Sequence, residues 1–521
     1  MRRYSHINHS IPLLLGLCGT AVILGAAISM LSESALFRAL TVGPVATLVV
    51  VLAASAGPAA FAKSRRLAAG LRWWHWLWVV VFVSGLVFRG RDIDTLRDAP
   101  VDFWAAWRMS LMGLVALVLL GRLASRTTDW AAALLRGLPA GVFLCGLTSL
   151  ISTLWSIYPL WTLYKSVEYL VDVALLAAVL TAVRNAEEFK SLFDVTWFLT
   201  GLFLLTVWLG VLVRPDLAVV PGVGLIGIQI HGILPSASSN GVGDLGATLL
   251  IIAATRLLLR NRDRSFYWMV CLAALPTLVL AQSRSPATAA LLGLLTVLVL
   301  ARRFGLLVLV GLAGAALISL KSAGAVVWQA FLRGQSPEMF YSLSGRVGWW
   351  TFAWTVFRDS PFLGLGGYAG GRFAVLGPLG ADSSSLHNGW LEILLGVGLI
   401  GFLPFLATFL GIWPNLLRPL DARSAPPIAR ELRIEAAAIF VMLCFRSMFS
   451  VEFIWHPPLL FLLTLGYAEV LRRGRREGVP AGQLVSAAWR RGHRSRGASA
   501  ANEPTNPARL SPDRGVLPQR C

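Results

Sequence analysis

Long apolar runs, separated by short polar connections, dominate the hydrophobic pattern of this chain. The runs are roughly 15–24 residues long and lack strand-like alternation, so they fit membrane-spanning helices rather than barrel strands. A bilayer core offers no water to backbone groups, which leaves helices as the spanning structure for such runs. The pattern predicts fourteen spans, near 11–31, 39–62, 73–89, 103–121, 131–151, 166–183, 195–213, 243–259, 266–281, 287–301, 304–321, 390–412, 434–453 and 457–471.

Composition supports an all-α polytopic membrane protein with about 12–14 transmembrane helices. Of the 521 residues 56% are hydrophobic and 14% charged, against about 25% charged in soluble domains. We expect a membrane domain over 1–471 that contains one long outer loop, 322–389, before a late helix. Residues 472–521 carry 11 basic and 3 acidic side chains and predict a disordered, basic cytoplasmic tail. We interpret this tail as a solvated anchor rather than a nucleic-acid binder.

The distribution of basic residues predicts the orientation of the spans. Arg and Lys concentrate in alternate connections, as the positive-inside rule requires of cytoplasmic loops. Both termini are therefore expected in the cytoplasm. Four unusual stretches then fall together on the outer face, namely 152–159, 231–240, 282–286 and the long loop.

The long loop contains an aromatic segment, 347–357, with the sequence VGWWTFAWTVF. Arg346 and Arg358 flank it. We expect a short helix lying at the membrane surface, because tryptophans favour headgroup depth. Anchoring rather than chemistry is the favoured interpretation for these tryptophans.

Three arginines on the predicted outer face are candidates for binding an anion. Arg284 lies in a short turn between two spans, where its guanidinium suits phosphate oxygens. Arg346 follows Ser344-Gly345 and Arg372 follows Gly370-Gly371. Bare amides beside a guanidinium can wrap an anion. The alternatives are a snorkelling Arg284 at a helix end and solvated arginines in ordinary turns.

His387 and Asn388 precede the apolar span 390–412. A helix N-terminus favours nearby anions, and a His can exchange a proton near neutral pH. Asn388 could instead simply cap the helix. Glu392, one turn into the helix, would be costly to bury unless it is paired or faces a cavity.

Charged residues also occur inside predicted spans. Lys165, Glu168 and Asp172 share one helix face, at spacings of three and seven residues from the lysine. They form either an internal ion pair or part of a substrate cavity near the outer side. Arg446 is a similar case, with Glu452 as a possible partner. The five cysteines include no pair in an outer loop, so the sequence predicts no disulfide, metal site or cofactor.

Several motifs together resemble the O-antigen ligase/polymerase family, and within it the exopolysaccharide polymerases. The resemblance covers about 150–460. It is carried by S-x-x-W-S-x-x-P at 152–159, a loop ending in Asn240, S-R at 283–284, S-G-R at 344–346, P-x-x-G-x-G at 361–366, and H-N-x-x-L-E with G-x-x-G at 387–401.

The resemblance implies glycosyl transfer at the periplasmic face of the bacterial inner membrane. The donor would be a glycan on undecaprenyl pyrophosphate, attacked with inversion by an acceptor hydroxyl, without a nucleotide sugar. Arg284 and Arg346 would hold the pyrophosphate. His387 would orient or deprotonate the hydroxyl, or bind phosphate as a cation. The substrate-binding candidates are Asn240, Asn388, Glu392, Arg372, Lys165 and Glu168.

Three other functions remain open. A ligase that moves a finished glycan onto lipid A or protein would use the same chemistry. A lipid-linked-oligosaccharide flippase or a solute transporter would need charges along a path across the membrane, whereas here they gather at one edge. A structural scaffold would not need the arginines and the histidine. The expected partners are the lipid-pyrophosphate-linked oligosaccharide and the membrane. A flippase or a chain-length regulator is a further candidate partner, and no nucleic-acid partner is expected.

Overall fold

The computed structural model describes residues 43–476, apart from gaps at 50, 53–54, 56–60, 62–63, 66, 87–92, 99–100, 126–128, 184–185, 224–225, 260–262, 320, 382 and 421–425. The predicted span 11–31 and the tail beyond residue 476 lie outside these residues. The span 39–62 lies only partly within them. Helix dominates the described chain and sheet is almost absent, so the predicted all-α polytopic membrane fold is confirmed.

Beyond short helical pieces before residue 70, the helices follow in chain order. They are α1 (Trp73–Leu86), α2 (Ile93–Asp98), α3 (Phe103–Ala124), α4 (Trp130–Leu134), α5 (Pro139–Ile151), α6 (Pro159–Ala182), α7 (Ala186–Val213), α8 (Pro215–Ala218), α9 (Ser239–Leu259), α10 (Arg264–Leu280), α11 (Arg284–Leu300), α12 (Phe304–Ser319), α13 (Lys321–Leu332), α14 (Pro337–Tyr341), α15 (Arg346–Asp359), α16 (Gly389–Leu417), α17 (Pro427–Arg446) and α18 (Leu459–Arg476).

Four of the described helices are long and apolar enough to cross a membrane by length and composition. They are α3, α9, α16 and the Glu188–Val213 part of α7. Further apolar helices of 13–17 residues, such as α1 and α10, pack beside them. Helices α6 and α17 are also long, at 24 and 20 residues, but they carry buried charges. Intramembrane charges normally mark functional or paired positions.

Several predicted spans have different limits in the structure: α6 begins at Pro159 rather than 166, and α7 begins at Ala186 rather than 195. The span 131–151 is broken into α4 and α5, because Gly137 has a positive φ and Pro139 begins the second helix. The span 434–453 is displaced, since α17 ends at Arg446 and the chain then turns. Arg446 therefore lies at the helix end rather than two turns inside it. Helix α18 continues to Arg476, so the start of the predicted tail is helical.

Two small antiparallel hairpins follow α8. Strand β1 (Val219–Pro221) pairs with β2 (Ile228–Ile230), and β3 (Gly232–Ile233) pairs with β4 (Ser236–Ala237). Gln229 in β2 donates from its amide to the carbonyl of Ala281 at 2.9 Å. The hairpins therefore pack against the C-terminal end of α10 and lead the chain into α9.

Helix α16 is broken at Gly398, which has φ 58° and ψ −167°. A neighbouring segment, 361–366, bonds to the broken stretch. Leu365 N donates to Leu395 O at 2.8 Å and Gly366 N to Gly396 O at 3.0 Å, while Leu399 N donates to Pro361 O at 2.9 Å. A side chain at Gly398 would collide with the backbone of Phe362. The glycines thus allow the backbone of 361–366 to approach the backbone of α16 closely. This segment also provides hydrogen-bond partners for backbone groups of α16 that the break would otherwise leave unpaired.

Candidate functional site

The unusual stretches predicted to share one face do meet at one end of the bundle, here called the loop end. Trp155 Nε1 donates to Leu363 O at 3.4 Å, and the hydroxyl of Ser283 bonds to the side-chain oxygen of Asn240. Arg284 contacts the chain near 331–335 in the long loop. The starts of α6, α9, α11 and α16 therefore lie beside one another. The opposite end, here called the basic end, holds the starts of α1, α10 and α17.

Three half-buried arginines gather at the loop end, and we call them the arginine cluster: Arg284, Arg333 and Arg346. Burial lowers the pKa of Arg333 and Arg346, and the charge of Arg284 lowers both further. Among the residues that the structure describes, none of the three forms an ion pair with an acid. Positive charges that repel one another without compensation are costly to hold together, so the cluster is suited to an anion.

The donors of the arginine cluster are partly occupied by neutral groups. Arg284 donates to Phe331 O at 3.1 Å and to the side-chain oxygen of Gln335 at 2.9 Å. Arg346, the first residue of α15, donates to Phe449 O at 3.4 Å. The Nε atom of Arg333 is buried and has no hydrogen-bond partner. These contacts orient the guanidinium groups without neutralising them.

His387 lies beside the arginine cluster, in a left-handed conformation with φ 53°. Its Nε2 is 3.2 Å from the hydroxyl of Ser383, and its backbone N–H donates to the hydroxyl of Ser385 at 3.3 Å. Burial, together with the charges of Arg346 and Arg446, lowers the pKa of His387 to about 4. The imidazole is therefore neutral near pH 7 and can accept a proton.

Asn388 and Glu392 shape the start of α16. The Asn388 side chain accepts from the N–H groups of Trp390 and Leu391 at 3.1 and 3.2 Å, which is a helix cap. Glu392 is buried and accepts from Leu386 N at 2.6 Å. Its other side faces Gly371, where a Cβ would collide with the carboxylate. Both residues thus fix the backbone that presents His387.

Arg446 is the paired arginine of the loop end. It makes a bidentate contact with Asp244, at 2.6 and 2.7 Å, and a further contact with Glu452 at 3.2 Å. The predicted Arg446–Glu452 pairing is confirmed. Arg446 also donates to the hydroxyl of Ser285 at 2.7 Å. This network joins α17, α9 and the start of α11, next to Arg284.

Lys165 and Glu168 belong to a second polar cluster, on α6. Glu168 accepts two bonds from Arg108 of α3, at 2.5 and 2.8 Å, and one from Lys165 at 2.9 Å. The guanidinium of Arg372 lies 5.2 Å from the ring centre of Trp161, and the Lys165 ammonium also lies 5.2 Å from it. Asp172 bonds to His456 at 2.7 Å. Internal pairing, one of the two sequence-based alternatives, describes Glu168 and Asp172.

The sequence analysis missed Arg333, Asp244, Arg108 and His456. Arg333 stands in a polar loop and has no motif around it. Asp244 and Arg108 lie within apolar helices, where an isolated charge signals a buried partner. That signal was used for Lys165 and Glu168 but not for these two residues. Within the described ranges, no group of His, Cys, Asp and Glu side chains could hold a metal ion.

Comparison with known families bears directly on the residues around His387. Residues 269–406 match the family model described as O-antigen ligase. This match over part of the chain supports an O-antigen ligase/polymerase-like family. No curated protein matches the chain significantly.

The O-antigen ligase segment contains the whole arginine cluster, together with Arg372, His387 and Glu392. Asn240, Asp244 and Arg446 lie outside the segment, as do Lys165 and Glu168. The family supports glycan transfer by a glycosyltransferase-like ligase or polymerase, and a lipid-linked glycan as substrate. The family segment thus contains the arginine cluster and the histidine, whereas Asp244 and Arg446, whose ion pair lies next to Arg284, come from the rest of the bundle.

Proposed function

We propose that the protein is a glycan polymerase acting at the periplasmic face of the bacterial inner membrane. It would join oligosaccharide repeat units carried on undecaprenyl pyrophosphate, in exopolysaccharide or O-antigen biosynthesis. The observation that carries this proposal is the arginine cluster, which has no acid partner among the described residues and lies beside a neutral histidine at the loop end. The basic end would then face the cytoplasm, as the positive-inside rule requires, together with both termini.

The arginine cluster would bind the pyrophosphate of the donor. The acceptor hydroxyl oxygen attacks the anomeric carbon from the opposite side, and the bond from that carbon to the phosphate oxygen breaks with inversion. The leaving lipid pyrophosphate takes the bonding electrons, and the arginines offset its growing negative charge. No part of this scheme requires a nucleotide or a metal.

His387 would take the proton of the acceptor hydroxyl. Its lowered pKa favours the neutral imidazole as base over a role as a phosphate-binding cation. A bound pyrophosphate places negative charge near the ring and raises its pKa, which improves it as a base in the complex. Glu392 and Asn388 would position His387 through the backbone rather than touch the substrate.

The decisive experiment is a transfer assay with purified protein in nanodiscs. Lipid-pyrophosphate-linked repeat units are supplied without other enzymes, and the products are sized on a gel. A ladder with released lipid pyrophosphate is the expected result. Transfer of a single unit onto an added lipid A or protein acceptor would make the protein a ligase instead. Movement of uncut substrate across the bilayer would contradict both.

Two substitutions test the roles of the arginine cluster. Arg284→Ala and Arg346→Ala should each lower transfer by roughly 10²–10³-fold, the usual loss on removing one donor to a developing negative charge. Arg358→Ala, at the far end of α15, is the matched control and should keep full activity. Wild-type transfer by either cluster variant would remove the proposed pyrophosphate site.

A further inference from the structure

His231 is a second histidine at the loop end, and the proposed mechanism does not use it. It stands between β2 and β3, at the start of the stretch 231–240, and its side chain is half-buried. Its backbone N–H donates to Ala218 O at 2.8 Å, which holds it against the end of α8. The residue is therefore fixed at its backbone, while part of the ring stays open to a ligand.

The hydrogen bonds of Gln229 assign the tautomer of the His231 ring. The Gln229 amide nitrogen donates to Ala281 O at 2.9 Å, so the side-chain oxygen of Gln229 faces the ring. That oxygen is 3.2 Å from Nε2 of His231 and can only accept, so Nε2 carries the hydrogen. Nδ1 of the neutral ring then keeps its lone pair, and no described side chain bonds to it. Nδ1 is the atom that can take up a proton.

The hairpin that carries His231 is bonded to the turn that carries Arg284. The side-chain amide of Gln282, two residues before Arg284, donates to Ile228 O in β2. The bond from Gln229 joins the same two segments. His231 and the arginine cluster are therefore held by one polar framework.

Arg333 lies between Arg284 and this hairpin. Arg284 donates to Phe331 O at 3.1 Å and to the side-chain oxygen of Gln335 at 2.9 Å, which are two residues before and two residues after Arg333. Arg333 is also within electrostatic range of His231. The loop thus presents Arg333 to both neighbours.

The arginine cluster is a row with a histidine at each end. Arg333 acts electrostatically on His231, and Arg284 acts on both Arg333 and Arg346. Arg346 in turn acts on His387. The attacking and leaving oxygens lie on opposite sides of the carbon in an inverting displacement, so a base at one end and an acid at the other fit such a reaction.

The other charges near His231 are paired elsewhere. Arg214 and Asp216 of α8 pair with each other at 2.9 Å, and Asp244 of α9 belongs to the network described above. Among the described elements packed around the hairpins, this leaves Arg333 to act on the ring. Burial and the charge of Arg333 lower the pKa of His231, so the ring is neutral near pH 7. A bound pyrophosphate adds negative charge, raises this pKa and brings a proton to Nδ1.

We propose that His231 is a second acid–base residue of the site, the proton donor to the leaving pyrophosphate. The inference rests on the proposed function and adds a residue outside the O-antigen ligase segment. His387 takes the proton of the acceptor hydroxyl at one end of the row. At the other end the bond from the anomeric carbon to the phosphate oxygen breaks, its electron pair goes to that oxygen, and the oxygen takes the proton from Nδ1 of His231. The ring is then neutral, and it takes up a new proton from solvent with the next donor.

Two substitutions of His231 separate proton transfer from hydrogen bonding. The amide nitrogen of His231→Asn stands near the place of Nδ1 and can donate a hydrogen bond but not a proton, while that of His231→Gln stands near Nε2 and keeps the bond to Gln229. Both should lower kcat about 100-fold, the lower end of the usual gain from a general acid. Ser236→Ala, at an exposed position in the next hairpin, is the matched control and should keep wild-type kcat.

The pH profile of kcat distinguishes a proton donor from a structural residue. A donor must be protonated, so wild-type kcat should fall as the pH rises through the pKa of His231 in the complex. Both His231 variants should lack this basic limb and keep the acid limb of His387. Arg333→Ala should move the basic limb to higher pH, because the charge that lowers the pKa of His231 is gone. A lower kcat with a wild-type pH profile in both His231 variants would overturn the inference.

Proton uptake on binding gives a readout that does not depend on turnover. Undecaprenyl pyrophosphate is titrated into His387→Gln protein by calorimetry, in two buffers of different ionisation enthalpy. This background removes the other histidine of the row, and adding His231→Asn should clearly reduce the remaining uptake. Equal uptake with and without His231 would overturn the inference. Absence of transfer by the wild type, with uptake still lost in His231→Asn, would reject the proposed function but keep His231 as the proton carrier of a pyrophosphate site.

Discussion

The arginines that pair with acids at the basic end and the arginine cluster at the loop end are held in opposite ways. At the basic end Arg256 contacts Glu435 at 3.0 Å and Asp194 at 3.0 Å, while Glu469 accepts from both Arg472 and Arg473 at 2.7 Å. At the loop end the arginine cluster has no acid partner among the described residues. Charges that hold helices together are paired within the protein, whereas charges without protein partners are available to a ligand.

The largest expected effect comes from breaking a pair at the basic end. Arg256→Ala leaves Glu435, which is fully buried, without its main compensating charge. Loss of one partner of a buried pair costs about 3–5 kcal/mol. We expect little folded protein in the membrane, measured by fluorescence-detected size exclusion. Folded, active Arg256→Ala protein would show that the pairs at this end are not needed for the fold.

Arg333→Ala tests whether all three arginines of the cluster contribute to binding the donor. Removing its guanidinium should leave the fold intact and raise KM for the donor about tenfold, at the lower end of the loss for a charged hydrogen bond. Arg333→Lys should recover part of the loss, because it keeps the charge without the fork of donors. An unchanged KM for Arg333→Ala would reduce the cluster to Arg284 and Arg346.

The pH dependence of transfer sharpens the role of His387. Because its pKa is lowered to about 4, the imidazole stays neutral as the pH falls to about 4, and it protonates only below that value. The protonated ring cannot accept a proton, so kcat/KM should fall as the pH drops through about 4. The acid limb of kcat should lie at higher pH, since the bound pyrophosphate raises the pKa. His387→Gln should lack both limbs.

The smallest effect is expected at an exposed pair. Arg214 and Asp216 form an ion pair at 2.9 Å, and both side chains are 56% exposed. Water screens such pairs, so they contribute little. Arg214→Ala should match wild type in accumulation, KM and kcat. A clear loss of transfer would extend the functional surface to the start of α8.

Sequence alone predicted much of the fold, because each long apolar run requires a helix in a bilayer. The sequence did not predict where some helices break or end, because these positions depend on local backbone effects. Examples are the break at Gly137 and the early end of α17 at Arg446. The grouping of Arg284, Arg346 and His387 was also predicted, from the alternation of basic loops. Arg333 could not be found in this way, since its position depends on how the loop before α15 folds back onto α11. The roles of these residues stay predictions.

The break in α16 has a consequence for protein engineering. Since residues 361–366 supply hydrogen bonds to 395–400, the loop and the first half of the helix form one backbone unit. A chimera that exchanges the loop alone between relatives keeps these bonds only where the incoming loop follows the same backbone path, and a different path would leave backbone groups of α16 without partners. The smallest exchangeable block therefore runs from 361 to 401, and substrate preference should be transplanted with the helix attached.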